Sequence, residues 1–313
     1  MKLVVIGNCQ ARPLADYIEK LVPTISVTAT PIVHLLKDSD EAEYRDALND
    51  ADVIVTQMIS DAYPCKFIRT SEIKRLYGDK THTILNLYFS GFTPDLMYIR
   101  HPEVTTLRGP LGEYHNKTIL DGWLLGISQQ QVVGWLSDPF YNKQEYGKED
   151  KTSLDELKAR DAAVDIKIAD FIESTRKESR TFFTFNHPSS VLLIEYAKRI
   201  CERIVGERGS DDAINAQLEP LNQLIPLVPP GIQCIETGRS ESKGTSVLSI
   251  NGPNVELGGV TTFTNKELVA QFYAIYEQNA EFLRANGSIN LQVEGHCDSR
   301  GSIEYNLKTL TSE

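Results

Sequence analysis

The sequence predicts an α/β protein: an N-terminal parallel sheet flanked by helices, a more helical second part and a short α/β tail. Two observations carry that reading. Apolar runs containing β-branched residues recur at residues 3–6, 25–29, 52–56 and 83–87, as strands covered on both faces do. Stretches with helical spacing lie between them, and strands alternating with helices imply a parallel sheet with right-handed crossovers. The expected units are residues 1–150, an α/β domain, residues 151–265, a helical or α+β second part of the same unit, and residues 266–313, the tail.

In order along the chain, residues 3–6 (Leu-Val-Val-Ile) form the first strand, and Gly7 ends it and permits a tight turn. Asn8 is a good cap for the helix that follows, where Leu14, Tyr17, Ile18 and Leu21 share one face. A second strand at 25–29 stops before Pro31, and residues 41–48 are helical. The turn pair Asn49-Asp50 precedes a third strand at 52–56, and a fourth covers 83–87. Gly109, Pro110 and Gly112 mark a loop, with a helix over 117–125 after it. Ser153 to Glu156 reads as a capping box that opens a charged helix running to about residue 177. Residues 181–185 are a strand that leads into Asn186-His187-Pro188. The helix after it, to residue 205, buries Leu193, Tyr196, Ala197, Ile200, Cys201 and Ile204 as one stripe. Residues 237–259, rich in Gly, Ser and Asn, read as loops or a short hairpin, and 266–285 as helix.

Composition narrows the function classes. The chain has 313 residues, 41% hydrophobic and 24% charged, enough to bury a full core. A net charge of −11 argues against bulk nucleic-acid binding. No apolar run approaches the roughly 20 residues that span a bilayer. The opening residues, with one Lys and four apolar residues before Gly7, do not read as a signal peptide. Five scattered cysteines (Cys9, Cys65, Cys201, Cys234, Cys297) form no CxxC pair, which fits a reducing compartment and leaves no structural zinc set. The expectation is a cytoplasmic protein without a metal site.

In parallel sheets ligands bind beyond the carboxyl ends of the strands. That singles out Asn8, Cys9 and Gln10 after the first strand, Gln57 and Ser60 after the third, and Tyr88 to Gly91 after the fourth. Cys9 stands where a strand hands over to a helix N-terminus, where unpaired amides and the helix dipole favour an anion. A thiol there is expected to have a lowered pKa, and the same geometry holds a phosphate or an oxyanion. The competing reading is a small apolar residue packed at a turn. A nucleophilic Cys needs a base, usually His. Of six histidines, His115 and His187 lie in loops between elements, His187 at a second strand-to-helix junction, and the sequence leaves both open. Asn8 and Gln10 can donate to an oxyanion, and Arg12, one turn into the helix, suits a phosphate or carboxylate. There is no P-loop, GxGxxG, GxSxG or HExxH.

Five motifs come in order: Gly7-Asn8-Cys9-Gln10-Ala11-Arg12; Val55-Thr56-Gln57; residues 87–96, Leu-Tyr-Phe-Ser-Gly-Phe-Thr-Pro-Asp-Leu; Gly112-Glu113-Tyr114-His115; and Phe185-Asn186-His187-Pro188. Together they resemble the WcbI family of capsular polysaccharide biosynthesis proteins over residues 1–205, with a weaker echo to about Tyr276. The resemblance implies a cytoplasmic O-acetyltransferase that moves an acetyl group from acetyl-coenzyme A to a sugar hydroxyl of a capsule or related glycan. It implies Cys9 as the cysteine of a Cys–His pair, with His115 or His187 as its partner. It implies a coenzyme A pocket lined by Gly7, Asn8, Gln10, Arg12, Gln57, Tyr88, Gly91 and Asn186. Residues 58–61 carry no His, and Thr93 stands before Pro94 where the family pattern has room for one. Residues 290–306, with residues 281–286 as the preceding helix, resemble part of an OmpA-like peptidoglycan-binding domain. Two other function classes stay open. A non-catalytic coenzyme A- or nucleotide-binding scaffold would bind coenzyme A without turning over its thioester. An SGNH-like esterase would want Ser at position 9 and a downstream Asp-x-x-His, neither of which is present.

Overall fold

Four parallel strands position everything else: β1 (Lys2–Ile6), β2 (Ser26–Ala29), β3 (Val53–Gln57) and β4 (Thr81–Ile84), side by side in the order β2-β1-β3-β4. The computed structural model describes residues 1–101, 105–215, 218–232, 247–250 and 260–285. Leu3 lies beside Val53 and Ile6 beside Thr56, while Ile54 lies beside Thr81 and Gln57 beside Ile84. From β1 the chain builds outward first on one side and then on the other. The strand order therefore reverses between β1 and β3, which opens a crevice at their carboxyl ends.

Side-chain alternation along β1 separates two cores. Leu3 and Val5 pack with α1 (Ala11–Leu21) and the long helix Ser190–Val205, whereas Val4 and Ile6 face the layer of α2 (Glu41–Asp50) and α3 (Thr70–Tyr77). A third core gathers around α4 (Lys117–Leu124), α5 (Gln129–Ser137) and the helix Asn265–Gln278, with Phe185 and the short strand β5 (Leu96–Tyr98). That late helix, at the start of the stretch read as a tail, is thus built into a core with residues of the first half. β5 pairs antiparallel with β6 (Tyr114–Asn116), Tyr98 beside Tyr114 and Leu96 beside Asn116. Further on, β7 (Phe182–Thr184) pairs with β8 (His187–Pro188).

The fourth strand covers Thr81–Ile84 rather than 83–87. Beyond Ile84 the backbone amides turn to side chains and to a distant loop: Leu85 N donates to Tyr196 Oη (2.5 Å), Leu87 N to Gln10 Oε1 (3.1 Å) and Phe89 N to Phe185 O (2.8 Å). The charged helix expected from Ser153 to about 177 is two helices, Glu149–Asp161 (α7, after α6, Pro139–Tyr146) and Ala169–Thr175 (α8). Ser153 is an interior residue whose hydroxyl accepts from Ser90 N (3.0 Å). The break exists because Ile166 bridges to Ile84 and the Asp165 carboxylate accepts from Thr83 N and Oγ1 (2.8 and 2.7 Å), which extends the sheet edge. Helices α5 and α6 were not foreseen; they start at Ser128 and Asp138, whose side chains accept from Gln131 N and Phe140 N. Residues 290–306, the OmpA-like motif, lie outside the described residues. Among the described residues no helix is long and apolar enough to cross a membrane.

Tyr196, on helix α9 (Ser190–Val205), locks this edge. It is fully buried; its hydroxyl accepts from Leu85 N and donates to Ile166 O (2.9 Å). Tyr196→Phe strands one amide and one carbonyl in a dry core, so it should lower stability by about 1–3 kcal/mol for each group left unpaired. A urea unfolding midpoint checks this.

Candidate active site

The crevice between β1 and β3 is floored by side-chain amides that hold one another. Gln57 Oε1 accepts from Asn8 N (2.9 Å), and Gln57 Nε2 donates to Gln10 Oε1 (3.0 Å) and Asn8 Oδ1 (3.3 Å). Asn8 Oδ1 also accepts from Gln10 N (3.0 Å), and Asn8 Nδ2 donates to Asn86 Oδ1 (2.9 Å). Gln10 Nε2 donates to Leu87 O (2.8 Å) and Asn186 O (2.9 Å). All four side chains are buried. Buried polar groups must be paired, and here they pair across four distant segments, joining the ends of β1, β3 and β4 to the 186 junction. Gly7 is glycine because of the same closeness: a Cβ there would sit 2.9 Å from the Gln57 amide.

Within this frame Cys9 is the one residue of the Asn8–Gln10 loop left partly exposed. Its thiol does not behave as the helix position suggests. Burial pushes it up to about 11, with only a backbone hydrogen bond pulling the other way. Two of the amides at this helix start are already occupied, Gln10 N by Asn8 Oδ1 and Ala11 N by Asn8 O (3.0 Å). The expected lowered pKa is therefore corrected to a neutral thiol, since desolvation outweighs the backbone hydrogen bond the sulfur receives at the helix start.

The wall beside Cys9 comes from β5, β6 and the 184–187 segment. The rings of Tyr98 and Tyr114 stack at 5.1 Å, and Phe185 meets both edge-on. Asn186 ties them together: Tyr114 Oη donates to its Oδ1 (2.7 Å) and its Nδ2 donates to Tyr98 Oη (3.1 Å). A charge on the Cys9 sulfur would raise both phenols, so both lie within electrostatic reach of it. His187 stands edge-on to Tyr114, ring centres 6.1 Å apart. Its Nδ1 is buried with no hydrogen-bond partner, and burial lowers its pKa to about 4, so the ring is neutral at physiological pH. Two links bring it to the cysteine loop: its ring against Tyr114, and the Asn186 carbonyl on Gln10.

His115 goes elsewhere. Successive residues of a strand point to opposite faces, so Tyr114 faces Asn186 while His115 faces the third core. Its Nε2 donates to Leu107 O (2.9 Å), which leaves Nδ1 to accept from Tyr276 Oη (3.1 Å). It has no exposed surface, and burial lowers its pKa to about 4. A histidine whose folded pKa lies below its unfolded value stabilises the fold fully above about pH 6.5, and that contribution falls away as the pH drops toward 4. The imidazole NMR shifts of His115 should accordingly stay flat from pH 8 to about 5; titration near 6.5 would show that the ring is solvated.

The remaining candidates are dispersed. Arg12 is exposed on the first turn of α1, within electrostatic reach of His34, whose pKa is lowered first by desolvation, with Glu113 raising it and Arg12 adding to the lowering. Tyr88 lies under the Arg160 guanidinium (5.7 Å), which donates to Asn86 O and Tyr88 O (3.0 Å each). Gly91 is packed under Phe89 and against the Asp150 backbone, where a Cβ would come within 2.4 Å of the Phe89 ring. The structure thus brings Gly7, Asn8, Cys9, Gln10, Gln57, Asn186 and His187 together, sets Arg12 on the rim, and places His115 and Gly91 in packing. Tyr98, Tyr114 and Asn86 were missed as site residues. Tyr114 had a signal, since it alternates with His115 in one strand. Among the described residues no group of three or more His, Cys, Asp or Glu could hold a metal ion.

The fold and the crevice define an α/β protein with a cysteine pocket at the switch point of its sheet. The chain belongs to the WcbI family of polysaccharide biosynthesis enzymes, whose sequence profile matches residues 2–207. No curated protein matches it. A solved structure of WcbI is similar in fold, with a TM-score of 0.70 and 18% identity over 91% of this chain and 95% of that one. That structure is described as a novel polysaccharide biosynthesis enzyme, the native protein without the disulfide bond between coenzyme A and one of its cysteines.

Proposed function

We propose that this protein is a coenzyme A-dependent O-acyltransferase, moving an acetyl group from acetyl-coenzyme A to a sugar hydroxyl in surface polysaccharide biosynthesis. The observation that carries the reading is His187: a neutral imidazole with a free, buried Nδ1 against the wall that faces Cys9. The coenzyme A named for the solved WcbI structure supplies the donor, and a thioester in the crevice puts its sulfur by Cys9. Arg12 and His34 on the rim suit a donor phosphate. Asn8, Gln10, Gln57 and Gly7 act by fixing the cysteine loop rather than by reaching the ligand. A cytoplasmic location goes with this donor.

In this reading His187 takes the proton of the acceptor hydroxyl as its oxygen attacks the thioester carbonyl carbon. The tetrahedral intermediate collapses, the carbon–sulfur bond breaks, and the departing thiolate recovers the proton from the imidazolium. The sugar acetate and free coenzyme A result. One positioned base of this kind is worth typically 10²–10⁴-fold. The raised Cys9 thiol favours this direct transfer over a thioester formed on Cys9 itself. The test is release of free coenzyme A thiol from acetyl-coenzyme A with and without acceptor. Direct transfer predicts that Cys9→Ala keeps a reduced rate; complete loss would shift the reaction to a covalent route. A protein that binds coenzyme A but releases no thiol would be the scaffold.

A further inference from the structure

A second polar cluster lies at the far end of the β5–β6 pair. Asp95 precedes β5, and Lys117 follows β6 as the first residue of α4, each three residues from the tyrosine of its strand. At strand rise this is about 10 Å from the aromatic wall of the cysteine pocket. Lys117 N donates to Asp95 O (2.7 Å), and Asn116 Nδ2 donates to Asp95 Oδ2 (2.6 Å) while its Oδ1 caps α4 at Ile119 N (3.1 Å). That much is structural. It leaves two groups over. Asp95 Oδ1 is buried with no hydrogen-bond partner, and the Lys117 ammonium makes no ion pair among the described residues.

Lys117 is also in the wrong place for a purely structural cation. It sits at the positive end of a helix and is desolvated enough to lower its pKa, although Glu149, Asp95, Asp121 and Glu145 all pull that pKa up. Asp95 is dry enough that burial raises its carboxyl to about 6. Thr93 Oγ1, two residues before Asp95, is a second buried oxygen without a partner. Glu149, held by Ser90 Oγ (2.7 Å), acts on Tyr88, which Tyr98 also influences. The cluster therefore adjoins the cysteine pocket through Tyr88 and Tyr98. Rules broken together at one place mark functional ground more often than packing.

We propose that Asp95 and Lys117 form the acceptor subsite, recognising neighbouring hydroxyls of a neutral pyranose: one hydroxyl donates to Asp95 Oδ1, the next accepts from Lys117 Nζ. The chemistry selects this class. An anion would meet four carboxylates, an amine would meet Lys117, and no three-ligand set for a metal ion exists among the described residues. Vicinal hydroxyls satisfy one unpartnered buried acceptor and meet a cation that makes no ion pair among the described residues.

The proposal rests on the acyltransfer reading, and one experiment separates the two. The full chain is examined by saturation-transfer NMR with the methyl glycosides of glucose, galactose, mannose and N-acetylglucosamine, beside Asp95→Asn and Lys117→Met. A coenzyme A thermal shift serves as the control for folding and donor binding. The expected result is transfer to at least one glycoside, weakened tenfold or more in both variants with the coenzyme A shift retained. Transfer to none, or equal transfer in the variants, overturns the subsite. Sugar binding sensitive to these residues without any coenzyme A shift would leave the subsite standing and sink the donor reading instead. Should Asp95→Asn fail to fold, Lys117→Gln decides by the same criterion.

Discussion

His187→Gln should lower acceptor-dependent release of coenzyme A by about 10²–10⁴-fold and leave donor affinity unchanged. Glutamine keeps roughly the length and polarity of the side chain but cannot take a proton. The loss should therefore fall on kcat, not on the binding of acetyl-coenzyme A. His187 stands against Tyr114 rather than in the amide floor, so the network under Cys9 survives the change and the thermal midpoint should move little. The wild-type rate should also carry the signature of a depressed imidazole. With burial holding its pKa near 4, the ring stays unprotonated, and the rate should be flat from neutral pH down to about 5 and fall below that. A rate that halves near pH 6.5 would mean a solvated base, and a His187→Gln variant within threefold of wild type would remove His187 from the chemistry.

Gln10→Leu should cost more stability than any other single change in the crevice. Gln10 has no exposed surface and makes four hydrogen bonds, donating to Leu87 O and Asn186 O and accepting from Leu87 N and Gln57 Nε2. Leucine of similar volume takes the side-chain partner from Leu87 N, Leu87 O and Asn186 O in a dry place, at about 1–3 kcal/mol for each group left unpaired, and leaves Gln57 Nε2 with Asn8 Oδ1 alone. That is comparable with the whole stability of a typical domain, about 5–15 kcal/mol. The variant should be unfolded or nearly so at 37 °C, and a circular-dichroism melt would show it. A loss under about 1 kcal/mol would mean the four segments are held by something other than this amide.

Much of the frame was legible because burial on both faces of a parallel strand leaves an apolar run, as in β1 and β3; β2 also lies within its expected run, although as the edge strand it has no buried residue. α1 and α9 were equally legible from one-sided stripes. The edges were not. β4 stops at Ile84 because Tyr196 and Gln10 claim the next amides, and α7 ends where Ile166 joins the sheet; both depend on partners 77 or more residues away. The site divides the same way. Cys9 and His187 stood out as strand-to-helix junctions. The pKa of Cys9 could not be read, since it depends on how far Tyr98, Tyr114 and the core desolvate the sulfur. Nor could His115 be told from His187, because one register in β6 decides which of Tyr114 and His115 faces the crevice. Gln10 and Gln57 looked like ligand donors in sequence, and only the fold shows their amides engaged with each other.

Thermal unfolding with and without coenzyme A reads out whether the crevice at Cys9 receives this ligand. A ligand at 100 times its Kd stabilises by about 2.7 kcal/mol, enough to raise the midpoint by several degrees. The midpoint should rise clearly with coenzyme A and less with dephospho-coenzyme A, which lacks the 3′-phosphate. An unchanged midpoint at millimolar coenzyme A would contradict binding in the crevice and leave Cys9 as a packed turn residue.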